Sequence, residues 1–184
     1  MFEKFLTHLF VAAFCSAIAT SWAHAEGSAK VGCEADENGG RAAASFRVLR
    51  EGTQIASGIC GKYVDVPPGP VTLLVTLDGV LSASVRQFEV EAREGTPARV
   101  QAHFETGELL VEVTRDGRRG SALVHLSSGN TEVARTSAGV ASRISVGTYA
   151  VEVESRGERR RIDGVTIARG ARQVLKVDFT GTPK

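Results

Sequence analysis

The chain repeats one β-pattern about 75 to 80 residues apart, and a repeat of that length limits the fold to two similar units in tandem. Residues 64–77 read VDVPPGPVTLLVTL and residues 142–154 read SRISVGTYAVEVE; each is an extended segment, a turn at Gly69 or Gly147, and an apolar strand. FEVEAREGTPARVQAHF (88–104) is matched by VTIARGARQVLKVDF (165–179), and both close on phenylalanine, Phe104 and Phe179. Upstream, FRVLREGTQIASG (46–58) parallels VHLSSGNTEVARTSAG (124–139). AKVGCEAD (29–36) parallels LLVEVTRD (109–116), which sets Val113 opposite Cys33.

The periodicity inside each unit is that of strands. Leu109, Val111 and Val113 alternate with Leu110, Glu112 and Thr114; Tyr149, Val151 and Val153 alternate with Ala150, Glu152 and Glu154. Period two gives one buried and one wet face. Turn residues punctuate the strands at Asp116-Gly117, Gly129-Asn130, Gly139, Arg156-Gly157, Asp163-Gly164 and Gly170. Short strands so spaced predict an all-β chain of two small antiparallel β-sandwich domains, about seven strands each. The boundary falls near Glu105–Gly107, giving domains at 26–105 and 106–184 with a short linker.

Residues 1–25 carry the signature of a cleaved signal peptide. Lys4 precedes the apolar run from Phe10 to Ala19, which is shorter than the roughly 20 residues a bilayer requires. Ala23-His24-Ala25 then offers small residues at the cleavage positions, predicting a mature chain from Glu26. A lipid anchor at Cys15 is the competing reading, against which Phe14 stands where a small residue is wanted. No later segment reads as a transmembrane helix, so the expected location is periplasmic or secreted. Cys15 leaves with the leader, and Cys33 and Cys60 remain to form one disulfide. Closing a loop of about 28 residues, it contributes about 3.5 kcal/mol in the chain-entropy treatment. That is substantial for a domain of this size.

The order G-x-L-x-V, D-G, V-G-x-Y, V-x-I, G and a closing V-x-F is met at Gly107–Val111, Asp116-Gly117, Val146–Tyr149, Val165–Ile167, Gly170 and Val177–Phe179. This pattern resembles the carboxypeptidase regulatory-like, or transthyretin-like, β-sandwich module, well over 107–179 and loosely over 29–104. The resemblance implies a stalk, spacer or adhesion role and brings no catalytic residues with it.

Chemistry-bearing clusters are sparse. After cleavage only His103 and His125 remain, one per unit, both off the core face by alternation; zinc needs three or four converging ligands. No serine sits in a nucleophile motif. Asp36-Glu37-Asn38-Gly39 starts like a calcium loop, but no later glutamate completes it, and it reads as an acidic turn. Trp22 leaves with the leader, and the phenylalanines fall at core positions, against a base-stacking platform. No catalytic, metal or cofactor site is therefore expected.

Charge is the individual feature. Residues 26–105 hold 8 Lys+Arg against 11 Asp+Glu, while residues 106–184 hold 13 against 9. Arg115, Arg118 and Arg119 flank one turn and Arg159, Arg160 and Arg161 follow another. They read either as a patch for an anionic partner or as solvated hairpin tips with Glu158 and Asp163 beside them. A net charge of +1 argues against nucleic acid. Two functions follow: a non-catalytic structural or binding module of the bacterial envelope whose partner is another envelope or surface protein, or a small secreted enzyme or inhibitor with no visible motif. A deep cleft of converging polar residues would favour the second.

Overall fold

The computed structural model describes residues 27–82 and 84–180; the expectations for the leader and its cleavage lie outside them. The first half runs β1 (Ala29–Glu37), β2 (Gly40–Arg41), β3 (Ala44–Arg50), β4 (Thr53–Ile59), β5 (Tyr63–Val66), β6 (Gly69–Leu77), β7 (Val85–Ala92) and β8 (Ala98–Phe104). The second repeats the order as β9 (Thr106–Arg115), β10 (Arg118–Arg119), β11 (Leu123–Ser128), β12 (Thr131–Ser137), β13 (Ser142–Ser145), β14 (Gly147–Ser155), β15 (Glu158–Ile167) and β16 (Arg172–Phe179). The chain is all-β and folds as β-sandwiches. The eighth strand of each half beyond the expected seven is the two-residue β2 or β10, formed where the chain leaves β1 or β9 through a tight turn.

Each half is two facing sheets. One sheet has the order β4-β3-β6-β7, repeated as β12-β11-β14-β15. The other centres on β1 or β9, flanked by β5 or β13 on one side and by β8 or β16 on the other. Pairing is antiparallel throughout except between the first and last strands of each half, which run parallel. The last strand must return alongside the first to cover its open side, and the connectivity delivers it in the same direction.

The ladders fix which residues correspond. Glu37 pairs Phe104 and Arg115 pairs Phe179. Gly61 N donates to the Cys33 carbonyl, and Gly139 N to the Val111 carbonyl. The counterpart of Cys33 is therefore Val111, two residues before Val113. A two-residue shift keeps every side chain on its own face, so alternation alone is blind to it.

Alternation does place the cores. Val31, Cys33, Phe46, Val48, Leu73, Val75 and Phe104 are buried in the first half, and Leu109, Val111, Leu126, Ile144, Val151, Val153 and Phe179 in the second. Phe88 is only half-buried, because β7 is an edge strand. The Cys33–Cys60 disulfide is formed. It ties the buried centre of β1 to the segment leaving β4, and so joins the two sheets.

Candidate functional site: the ends of the two sandwiches

Strand directions give every sandwich two unlike ends. The leading end holds the start of the first strand and the turns before the sixth and eighth strands. The trailing end holds the turn after the first strand, the loop after the sixth and the end of the eighth. One residue, Glu105, separates β8 from β9, so the trailing end of the first sandwich meets the leading end of the second.

This junction is built on Asp36-Glu37-Asn38-Gly39, which the sequence marks as an acidic turn. Asn38 and Gly39 have φ of 54° and 90°, a conformation that asparagine tolerates and glycine adopts freely. The turn aims the Asn38 amide at β9. Asn38 Nδ2 donates to the Thr106 carbonyl at 3.0 Å, and Thr106 N donates back to Asn38 Oδ1 at 3.1 Å. The side chain thus imitates a strand neighbour, and Asn38 N also donates to the Phe104 carbonyl at 2.9 Å.

Around this amide, Glu37 accepts from the Thr106 hydroxyl and pairs with Arg143 at 3.0 Å. Arg143 also donates to the Asp78 carbonyl. The loop after β6 is longer than its counterpart, the tight Arg156-Gly157 turn, and its extra residues reach β13. Leu81 N donates to the Arg143 carbonyl at 3.0 Å, and Ser145 N donates to Ser82 Oγ at 2.9 Å. Gly107 follows because a Cβ there would lie 2.4 Å from the Ala168 carbonyl oxygen.

The arginines occupy the trailing end of the second sandwich, but they divide in function. Arg159 pairs with Glu152 and Glu154 across the β14–β15 ladder, at 3.4 and 3.0 Å. Arg161 pairs with Asp163 at 2.8 Å. Glu158 does not neutralise the triplet as its position suggests; it pairs with Arg115 at 3.0 Å. Arg115 and Arg160 lie over the Phe179 ring, 5.2 and 5.5 Å from its centroid, and cover the core. Arg118 and Arg119 remain exposed on β10 without a carboxylate in ion-pair reach among the described residues. With Arg115, Asp116 and Arg156 they line a cleft of about 540 Å³. Arg156, expected at a turn with Gly157 but not among the patch arginines, joins them through that turn, where its φ is 51°.

The histidines do not converge. His103 is exposed and bonds Asp36, while His125 bonds Glu132 at 2.9 Å in the other half. Desolvation is the largest single influence on Asp36 and raises its pKa, but hydrogen bonds from Gln101 and His103, the His103 charge and the Gly39 N–H together outweigh it, leaving the carboxyl below its ordinary range. Arg135 and then His125 lower Glu132 likewise. Among the described residues no three metal-ligating side chains gather, and no helix is long and apolar enough to cross a membrane.

No protein-family model and no curated protein matches the chain. Solved structures similar to it include the Bacillus anthracis TIE protein, at 15% identity and a TM-score of 0.38 over 84% of this chain. Another is GBS52, the minor pilin of Streptococcus agalactiae, at 10% identity and a TM-score of 0.38 over 86% of this chain and 97% of that one. A third is a shaft pilin of Lactobacillus rhamnosus GG, at 7% identity and a TM-score of 0.32 over 85% of this chain and all of that one. The chain spans 34% of the length of the TIE protein.

Proposed function

We propose that this chain is an exported, non-catalytic structural or binding module of the bacterial envelope, made of two sandwiches at 26–105 and 106–184 behind a leader at 1–25. The junction carries this reading. One connecting residue, a two-way amide bridge, an ion pair and a reaching loop hold the sandwiches in one orientation, which suits a part that spaces or presents surfaces. The transthyretin-like resemblance of the second half, which brings no catalytic residues, supports the same reading. Its partner is another envelope or surface protein, and contact runs through the exposed strand edges and ends.

Cell fractionation with intact-mass measurement tests the reading. The protein should be recovered outside the cytoplasm, starting at Glu26, with the disulfide formed. Small-angle scattering should fit one fixed arrangement of the sandwiches. A cytoplasmic protein retaining Met1, or scattering that requires freely reorienting halves, would overturn it.

A further inference from the structure

The internal junction shows which residues of a trailing and a leading end meet. It joins a trailing end bearing Glu37, Asn38 and Asp78 to a leading end bearing Arg143 and Arg169. Arg169 pairs with Glu105 at the connection, and its guanidinium passes 3.5 Å from where a Gly39 Cβ would stand.

The two outer ends invert these charges. At the trailing end of the second sandwich, Arg115 holds the position of Glu37, Asp116 that of Asn38 and Arg156 that of Asp78. At the leading end of the first, Asp65 holds the position of Arg143. Asp65 pairs Lys30 on β1 as Arg143 pairs Glu108 on β9. Glu94, in the turn before β8, holds the position of Arg169 and lies against Gly27 as Arg169 lies against Glu105. Glu37 and Glu105 meet arginine inside the chain; at the other two ends arginine stands at one and acid at the other, with Arg115 engaged by Glu158 and Phe179 and Arg118, Arg119 and Arg156 left exposed.

We propose that the arginine end formed by Arg118, Arg119 and Arg156 docks on the Asp65–Glu94 end of a second copy, head to tail. The sum of side-chain lengths is kept, because a long arginine now reaches from the trailing side to a short acid. Such a contact is heterologous, the same two surfaces repeating from copy to copy, so it builds rings or filaments rather than closed dimers. It is weaker than the internal junction for two reasons. The second sandwich has no counterpart of the loop bearing Leu81 and Ser82, and no short linker raises the effective concentration. Lys30 and Arg93 also stand at the acidic end, so attraction depends on the placement of Asp65 and Glu94 rather than on net charge. The proposal rests on the export reading, since an uncleaved leader would stand at the acidic end.

Sedimentation equilibrium of the processed protein at low and high salt tests it. Association should rise with concentration and weaken about tenfold between about 0.05 and about 0.5 M salt, as exposed pairs become screened. Arg118→Glu/Arg156→Glu and Asp65→Lys/Glu94→Lys should each be monomeric, with unchanged circular dichroism. Mixed together, the two variants should associate again, through the intact end that each retains and through the reversed ends, whose charges complement each other. Arg159→Gln/Arg161→Gln, whose arginines face acids of their own sandwich, should associate like the parent. A processed protein that stays monomeric, association untouched by both reversals, or a mixture that fails to pair would overturn the proposal. A monomer retained on immobilised polyphosphate through Arg118 and Arg156 would also overturn it, and would give that end to a polyanion. Intact mass separates these failures from a failure of processing.

Discussion

Replacing Asn38 separates the two things that hold the junction: the amide bridge and the backbone conformation that aims it. Asn38→Ala removes both hydrogen bonds to Thr106, each contributing about 0.5–1.5 kcal/mol net. It also forces a Cβ-bearing residue with no amide into a left-handed turn, which costs about 1–2 kcal/mol. The expected loss is about 2–5 kcal/mol in total, of which about 1–3 kcal/mol is coupling between the halves. Asn38→Gly removes the same bonds but relieves the turn, so its loss should be about 1–3 kcal/mol and smaller than that of alanine.

Two domains need not unfold as one, so a single melting temperature is a poor reporter. Amide hydrogen exchange at Thr106 is direct, because its N–H donates to Asn38 Oδ1. Both variants should expose that N–H, and small-angle scattering should show the halves reorienting while strand amides in β3 and β11 stay protected. Unchanged Thr106 protection in Asn38→Gly would show that the bridge does not hold the junction. Equal losses in the two variants would remove the argument from the turn.

Three further outcomes are expected. Phe104→Ala and Phe179→Ala should each destabilise their own sandwich by about 3–5 kcal/mol in denaturant titrations, since both rings are fully buried at corresponding sites. Reducing Cys33–Cys60 should lower the stability of the first sandwich by about 3.5 kcal/mol and leave the second nearly unchanged, as domain-resolved hydrogen exchange would show. Carboxyl titration by NMR should place Asp36 and Glu132 below ordinary carboxylates. A depressed folded-state pKa stabilises above the ordinary carboxyl range, and that contribution fades as pH falls through the depressed midpoints, so acid and not base should loosen these contacts.

Strand facing was legible in the sequence because burial writes a period of two. Leu109, Val111, Val113, Tyr149, Val151 and Val153 all lie inward as their alternation requires. Turn positions were legible because the glycines of Asp116-Gly117 and Arg156-Gly157 take a positive φ that glycine adopts freely. Register was not. Val111 and Val113 both point inward, so aligning Cys33 with either satisfies the pattern, and only the parallel ladder with the last strand decides. The parallel direction of that strand leaves no mark on composition. The junction was invisible for another reason: Asn38 and Thr106 are far apart in the chain, and short polar residues at turns are ordinary. Asp36-Glu37-Asn38-Gly39 was noticed for its charge, but its role depends on where β9 begins.

Comparing the copies separates what folding demands from what it leaves free. Positions that set the sandwich agree: Gly69 with Gly147 at the entry to the long strand, Phe104 with Phe179 at the end of the last, and left-handed turns at Asn38-Gly39 and Asp116-Gly117. Charges at the ends do not agree, and four of them change sign: Glu37 to Arg115, Asp78 to Arg156, Asp65 to Arg143 and Glu94 to Arg169. Arg115 covers the Phe179 ring, whereas a solvated turn such as that of Arg156 accepts either sign within about 0.5 kcal/mol, so core stability gives no reason for the change there. Contact does give one, because a like pair brought together is repelled where an unlike pair is held. Arg115, the counterpart of Glu37, is held by Glu158 and the Phe179 ring of its own sandwich, so the charges left for contact at that end are those of Arg118, Arg119 and Arg156. The acid–arginine pairing across the internal junction is the pattern that the proposed contact between copies would repeat.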